Sequence, residues 1–266
     1  MKKWLGLALT VAAVVAAVAA PWLTPQDPLR AEFVASLKPP GTPSHPLGTD
    51  QLGRDLLARV LYGARLALLI GVCTVLVTAL TGGALGLLAG FVERWPGAIV
   101  MRVADVQLSF PFILLALTIN AIVGLGLRNI VLSLSAAGWV VYARVVRGEV
   151  LTVKQRDFVH AAAALGVGRG RLLFRHVLPN VAPSLIVVAS LQFSQFIVAE
   201  AAISFLGFGI QPPTPAWGSM LSESRDFLYV AWWLAAFPGA ALALTALGVN
   251  LLGDWLRDTL DPKLRV

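Results

Sequence analysis

The 266 residues are 58% hydrophobic and 13% charged, with a mean hydropathy of +0.79. About a quarter of the residues in a soluble domain carry charge, so this is the composition of a membrane protein. Twenty-one Lys and Arg stand against 14 Asp and Glu. Nucleic acid or the cytoplasmic ends of membrane spans could explain that excess, and the distribution of the charges decides between them. The single cysteine, Cys73, lies inside an apolar run and reads as a small buried residue; it excludes an intrachain disulfide framework and a cysteine-based metal site.

A spanning helix needs about 20 mostly apolar residues at about 1.5 Å each. Six runs free of Asp, Glu, Lys, Arg and His are candidates: residues 4–26, 66–92, 106–127, 129–143, 177–199 and 227–253. The first, with Lys2 and Lys3 before it and the small residues Ala17, Val18 and Ala19 near its end, also fits a cleavable signal peptide. Its continuation through Pro21, Trp22 and Leu23 gives it spanning length. Residues 27–46 are rich in proline and polar side chains and read as an extended linker. Leu52, Leu56, Leu57, Val60 and Leu61 then fall on one helical face, with Arg54, Asp55, Ala58 and Arg59 opposite, which predicts a helix lying on the outer interface. In the second run "TGGALGLLAG", from Thr81, supplies small residues for close helix contact. The fourth run is short, but Arg128 and Arg144 at its ends can snorkel while Trp139 and Tyr142 sit near the headgroups.

With the N-terminus inside, 14 of the 21 basic residues fall on inner segments, so the positive-inside rule places both termini in the cytoplasm. That accounts for the basic balance without nucleic acid. The longest inner connection, residues 147–178, contains "HAAAALGVGRGRLLFRHVLPN" from His160. Asp157 can cap a helix over 158–165, and Gly166 can supply the left-handed residue that ends it. A second short helix fits 171–178, with Pro179 as its stop. Ala161 to Ala164 give the first helix a smooth surface suited to docking, and long structured connections are more often functional than short ones.

This segment resembles the EAA motif of ABC-transporter permeases, in which Glu, Ala, Ala, three residues and Gly precede a Leu-Pro pair. Ala161, Ala162, Gly166, Leu178 and Pro179 match by position, and His160 stands at the Glu position. Three further stretches resemble the dipeptide, oligopeptide and nickel branch of these permeases, the C-type subunit in particular: "HPLGTDQLGRDLLARVLYGAR" from His45, "EAAISFLGFGIQPPTPAWGSML" from Glu200 and "LGDWLRDTLDPKL" from Leu252. The resemblance implies an all-α polytopic fold of the type I ABC importer kind, with six transmembrane helices, in a bacterial inner membrane. The apolar runs and the charge map divide the chain into a first transmembrane helix (1–26), a periplasmic linker and interfacial helix (27–64) and a five-helix core (65–266) that includes the cytoplasmic coupling loop 147–178. The resemblance also implies a second homologous permease, two ATP-binding subunits and an extracytoplasmic binding protein as partners. His160, Ala161, Ala162, Leu165, Gly166, Arg171, Leu178 and Pro179 become the contacts to an ATPase subunit.

No GxxxxGK[ST] phosphate loop occurs in the chain, so ATP and Mg are expected on the partner subunits, with no cofactor and no catalytic residue here. Polar residues inside the spans, Asn120, Gln192, Gln195 and Asn250, are candidates for the translocation path or for hydrogen bonds between helices. Glu200 is expected at the outer end of the fifth span. His45 is expected to be exposed rather than a nickel ligand. Of the rival classes, an intramembrane hydrolase would use Ser219, but His160 and His176 fall on the opposite side. A secondary transporter would show paired intramembrane charges or broken helices repeated in two halves.

Overall fold

The computed structural model describes residues 2–92 and 95–260; Arg94, Lys263 and Arg265 of the charge map, and the end of the fourth motif, lie outside them. Among the described residues ten α-helices follow one another: α1 (Lys2–Leu23), α2 (Leu56–Phe91), α3 (Trp95–Leu108), α4 (Phe112–Val123), α5 (Leu127–Lys154), α6 (Asp157–Ala164), α7 (Arg169–Leu172), α8 (Leu178–Phe205), α9 (Trp217–Glu223) and α10 (Trp233–Leu260). Among the described residues there is no strand, only the isolated bridges Thr42 to His45 and Thr49 to Asp55.

Small residues set the helix directions. Gly6 of α1 touches Leu251 and Gly248 of α10 touches Leu9, so α1 and α10 run antiparallel, and the two ends of the described chain lie at the same end of the bundle. A Cβ on Gly82, Gly86 or Gly90 would come within 2.3 Å of Trp139 O, 2.6 Å of Ala143 O and 2.7 Å of Val150 Cβ respectively. Those partners rise along α5 in step with α2, so the two helices are parallel and their backbones nearly touch. Such contact is how apolar helices gain dispersion energy where lipid offers no hydrophobic drive. The small-residue stretch in the second run therefore serves close packing.

Because α2 and α5 run parallel, the chain must recross the bundle between them. It does so as α3 and α4, bent by 95° at Ser109 to Pro111. Met101 and Ala104 pack with Ala89, Val140 and Ala143, while Ala116 packs with Ile130 and Leu134, which puts the two halves at opposite depths. The bent pair is thus one broken span. With α1, α2, α5, α8 and α10 it makes six crossings, as expected, although the third was expected as one helix over 106–127.

Several boundaries differ from expectation for identifiable reasons. The helix α5 has 28 residues rather than a 15-residue span: the charge-free run marks only part of it, and Arg144, Arg147 and Glu149 continue the same helix. No separate interfacial helix precedes the second span, because nothing breaks the helix after Leu61; α2 is continuous for 36 residues, about 54 Å at 1.5 Å per residue. Its supposed solvent face is buried, with Arg54, Asp55, Ala58 and Arg59 all at most 4% exposed.

The reason lies in residues 27–55, which fold against the bundle rather than forming an extended linker. Asp55 caps α2 by accepting from Ala58 N at 2.7 Å. Arg54 Nε and Arg59 NH1 meet Asp50 at 2.6 and 3.1 Å, and both guanidinium groups meet Glu223 of α9 at 3.2 Å. Trp233 Nε1 donates to Thr49 O at 3.2 Å, and Trp217 Nε1 donates to Val60 O at 3.0 Å. The permease-like stretch from His45 thus closes on the end of the stretch from Glu200 and on Glu223 and Trp233 beyond it, as a clamp at this end of the bundle. His45 belongs to the clamp too: it is half-buried, not exposed, with Nδ1 2.9 Å from Asp55 Oδ2. Cys73 is also only half-buried.

A polar cleft at mid-depth and an exposed helix at one end

A cleft of about 980 Å³ opens beside the α3–α4 bend, walled by α5, α8 and α10. Gln192, Gln195 and Asn250 line it, as does Gln107, a residue that stands at the edge of the third charge-free run and was not among the expected path residues. Gln192 and Gln195 fall near the middle of α8, and Ala137 and Val140 on the opposite wall near the middle of α5, so the cleft lies at mid-depth. Gln192 is buried, whereas Gln195 and Asn250 are exposed to the cleft. Ser194 Oγ donates to Asn250 Oδ1 and fixes that carboxamide. The lining holds no charged side chain; its polar atoms are carboxamides and a hydroxyl among apolar walls. Such groups can both donate and accept.

Asn120, the fourth expected path residue, does not line this cleft. It is fully buried, donates through Nδ2 to Phe208 O and accepts at Oδ1 from Ser133 Oγ at 3.2 Å. It ties α4 and α5 to the turn after α8, which is the helix-bonding alternative. That turn ends α8 with a left-handed Gly207, φ +86°, where Gly207 N and Phe208 N donate to Ser204 O and Ile203 O at 3.0 Å. Glu200 lies near the C-terminal end of α8, as expected, but is buried in the bundle. It is 2% exposed and accepts from Ser204 Oγ at 2.6 Å, and Ser204 Oγ accepts in turn from Ile210 N at 3.0 Å. Ser219 is buried, with its hydroxyl donating to Ala216 O at 2.9 Å. No group of three or more His, Cys, Asp or Glu that could hold a metal occurs among the described residues.

At the end of the bundle that carries both described termini, α6 lies between α5 and α8. Asp157 occupies its first turn without a capping bond, at the end where the helix dipole favours negative charge. Gly166, φ +81°, ends the helix as expected, with Gly166 N donating to Ala163 O at 3.0 Å and Val167 N to Ala162 O at 3.1 Å. The following helix is not stopped by Pro179. A π turn over Leu173–Val177 joins α7 to α8, and Pro179 sits in the first turn of α8, where a missing N–H costs little.

The alanine run is two-sided. Ala162 is buried at 8% and Val159 at 3%, whereas His160, Ala161, Ala163, Ala164, Leu165 and Gly166 are exposed. Ala162 therefore faces the bundle and not an outer partner. Leu165 is 85% exposed, and Arg171 and Pro179 are exposed beside it, with Leu178 half-buried. Beneath α6, Val159 packs with Val146, Val150 and Val153 of α5 and with Val177 and Val181. The helix is thus fixed to the two spans that wall the cleft.

A bundle of apolar spans around a mid-depth polar cleft has the build of a membrane transport subunit. Residues 82–266 match the family described as binding-protein-dependent transport system inner membrane component. The chain is 46% identical over 265 residues to the di/tripeptide transport system permease protein DppC of Pseudomonas aeruginosa, covering 98% of this chain and 88% of that protein. It is 44% identical to the dipeptide transport system permease protein DppC of Escherichia coli K12, with the same coverage. To the glutathione transport system permease protein GsiD of Pectobacterium atrosepticum it is 45% identical, over 84% of this chain and 74% of that one. The chain belongs to this family of inner membrane permeases: it is a multi-pass bacterial inner membrane protein and the permease subunit of a binding-protein-dependent ABC importer.

Proposed function

We propose that this chain forms half of a path for small peptides, and that it takes up the work of ATP hydrolysis through residues 157–179. The observation that carries the reading is α6, which is bare on its outer side and joined by a valine core to α5 and α8, the spans that wall the cleft. A push on the outer face of α6 moves the walls of the cleft. The face consists of His160, Ala161, Ala163, Ala164 and Leu165, with Arg171 beside it. Its small side chains admit a groove wall closely, and Leu165 supplies an apolar knob.

The complete importer in this reading contains a second homologous permease, two ATP-binding subunits and an extracytoplasmic binding protein. ATP and Mg are held by the ATP-binding subunits, and this chain does no chemistry. The segment 147–178 and both termini face the cytoplasm, and residues 27–64 face the periplasm. Peptide cargo is supported by the names of the relatives, glutathione itself being a small peptide, and by the carboxamide lining of the cleft, which can exchange hydrogen bonds with an amide backbone without selecting among side chains.

The test is Leu165→Asp in the assembled importer. Full burial of a leucine contributes about 1.5–3 kcal/mol, so its loss weakens docking about 10- to 100-fold at 1.4 kcal/mol per decade. Transport is expected to fall at least tenfold, with ATP hydrolysis no longer stimulated by the loaded binding protein. Transport at the unaltered rate contradicts the docking role.

A further inference from the structure

We infer that the break between α3 and α4 is a gate on the cleft and that Gln107 is the latch that holds it. This inference rests on the reading of the cleft as the path. Gln107, Phe110 and Leu115 line the cleft and also line a second cavity of about 370 Å³ on the far side, bounded by Arg102, Val106 and Ala136. The three residues are therefore the partition between two spaces. Moving the partition joins them.

The partition is built to be movable. It sits where the backbone ladder is interrupted, since Pro111 has no N–H to donate and α3 meets α4 at 95°. Phe110, at the bend itself, is 58% exposed instead of packed into the core, so its ring can swing without leaving a cavity. By contrast α2 and α5 are in backbone contact through Gly82 and Gly86 and cannot shift independently.

Gln107 opposes the motion. Its Nε2 donates to Ala136 O at 3.1 Å and Ala137 O at 2.8 Å, and its Oε1 accepts from Trp139 Nε1 at 2.8 Å. One carboxamide one turn before the break thus makes three hydrogen bonds to α5. Rotating α3 away breaks all three together, at a depth where replacement partners are scarce. A tie that is either whole or lost gives the bend two discrete positions rather than a continuum. Gln107 is a positioning residue: it acts on the cargo's route through Phe110 and the bend.

The experiment uses the complete importer in proteoliposomes, in a Cys73→Ser background, with uptake of radiolabelled alanyl-alanine delivered by the binding protein. Cysteines replace Gln107 and Ala136 and are joined by a short bis-methanethiosulfonate. The gate predicts that uptake falls at least tenfold on cross-linking and returns on reduction, which also shows that the protein stayed folded. Uptake unchanged by cross-linking overturns the gate. Gln107→Leu is expected to raise ATP hydrolysis several-fold in the absence of binding protein, and adding Trp139→Phe to it is expected to change nothing further; additive effects of the two contradict the latch. A separate arm modifies Gln195→Cys with a bulky maleimide. If that blocks uptake while the cross-link does not, the path stands and the gate alone fails. If Gln195 modification leaves uptake intact, the path reading fails.

Discussion

Arg59 shows what a buried charge costs and what holds it. Its side chain is 1% exposed and is shared between Asp50 and Glu223, with Arg54 beside it on the same two carboxylates. Removing one partner from such a group leaves the others charged and dry, typically costing about 3–5 kcal/mol. Arg59→Met is therefore expected to lower the unfolding midpoint of the purified importer by several degrees. The exposed pair Arg30–Glu32 supplies the comparison. Exposed pairs contribute about 0.2–1 kcal/mol, so Arg30→Ala is expected to leave the midpoint unchanged within error. Equal effects from the two substitutions would show that the clamp is not a buried network. At the same scale the sequence is least informative. Arg54 and Arg59 alternate with leucines in a way that suits an interfacial helix equally well, and only the tertiary approach of Glu223, more than 160 residues away, turns that polar face inward.

Among the elements, α2 and α5 carry the packing of the bundle. A methyl group on Gly86 would come within 2.6 Å of Ala143 O and 2.8 Å of Val146 Cβ and must push the helices apart, whereas one on Gly83 would meet Leu185 Cδ1 at 3.7 Å, an ordinary contact. Overpacking costs about 1–3 kcal/mol. Gly86→Ala is expected to destabilise by that amount in a thermal-shift assay, and Gly83→Ala to be neutral or slightly stabilising. The six crossings were legible because the bilayer rewards uninterrupted apolar runs. Helix lengths were not, since lipid ends where the apolar run ends but the backbone ladder continues through Arg144 and Arg147 in α5 and begins before Leu66 in α2. The 95° break was also hidden: one proline at 111 fits a mild kink or a full bend, and the parallel course of α2 and α5 decides for the bend. In the end segment, Gly166 was legible from local chemistry alone. Pro179 was misread because a proline stops one helix and starts another equally well, and Ala162 because four successive alanines hide which side faces in.

For the whole molecule, the clamp of residues 27–55 and α9 secures one end of the bundle, and α6 is the exposed element at the other. Between them lies the cleft, walled by the same α5 and α8 that hold α6 through Val146, Val150, Val159 and Val181. If that valine core transmits movement, Val150→Ala, which opens space in it, is expected to reduce the transport gained per ATP hydrolysed while assembly and ATP binding persist. The most direct test of the central claim places a photo-crosslinking amino acid at Leu165 in the native membrane. An adduct with an ATP-binding subunit that carries the phosphate loop this chain lacks is expected, and it is expected to be lost when Gly166, whose φ is +81°, is replaced by valine. An intact importer whose Leu165 probe reacts only with lipid, or with the extracytoplasmic binding protein, would contradict the claim.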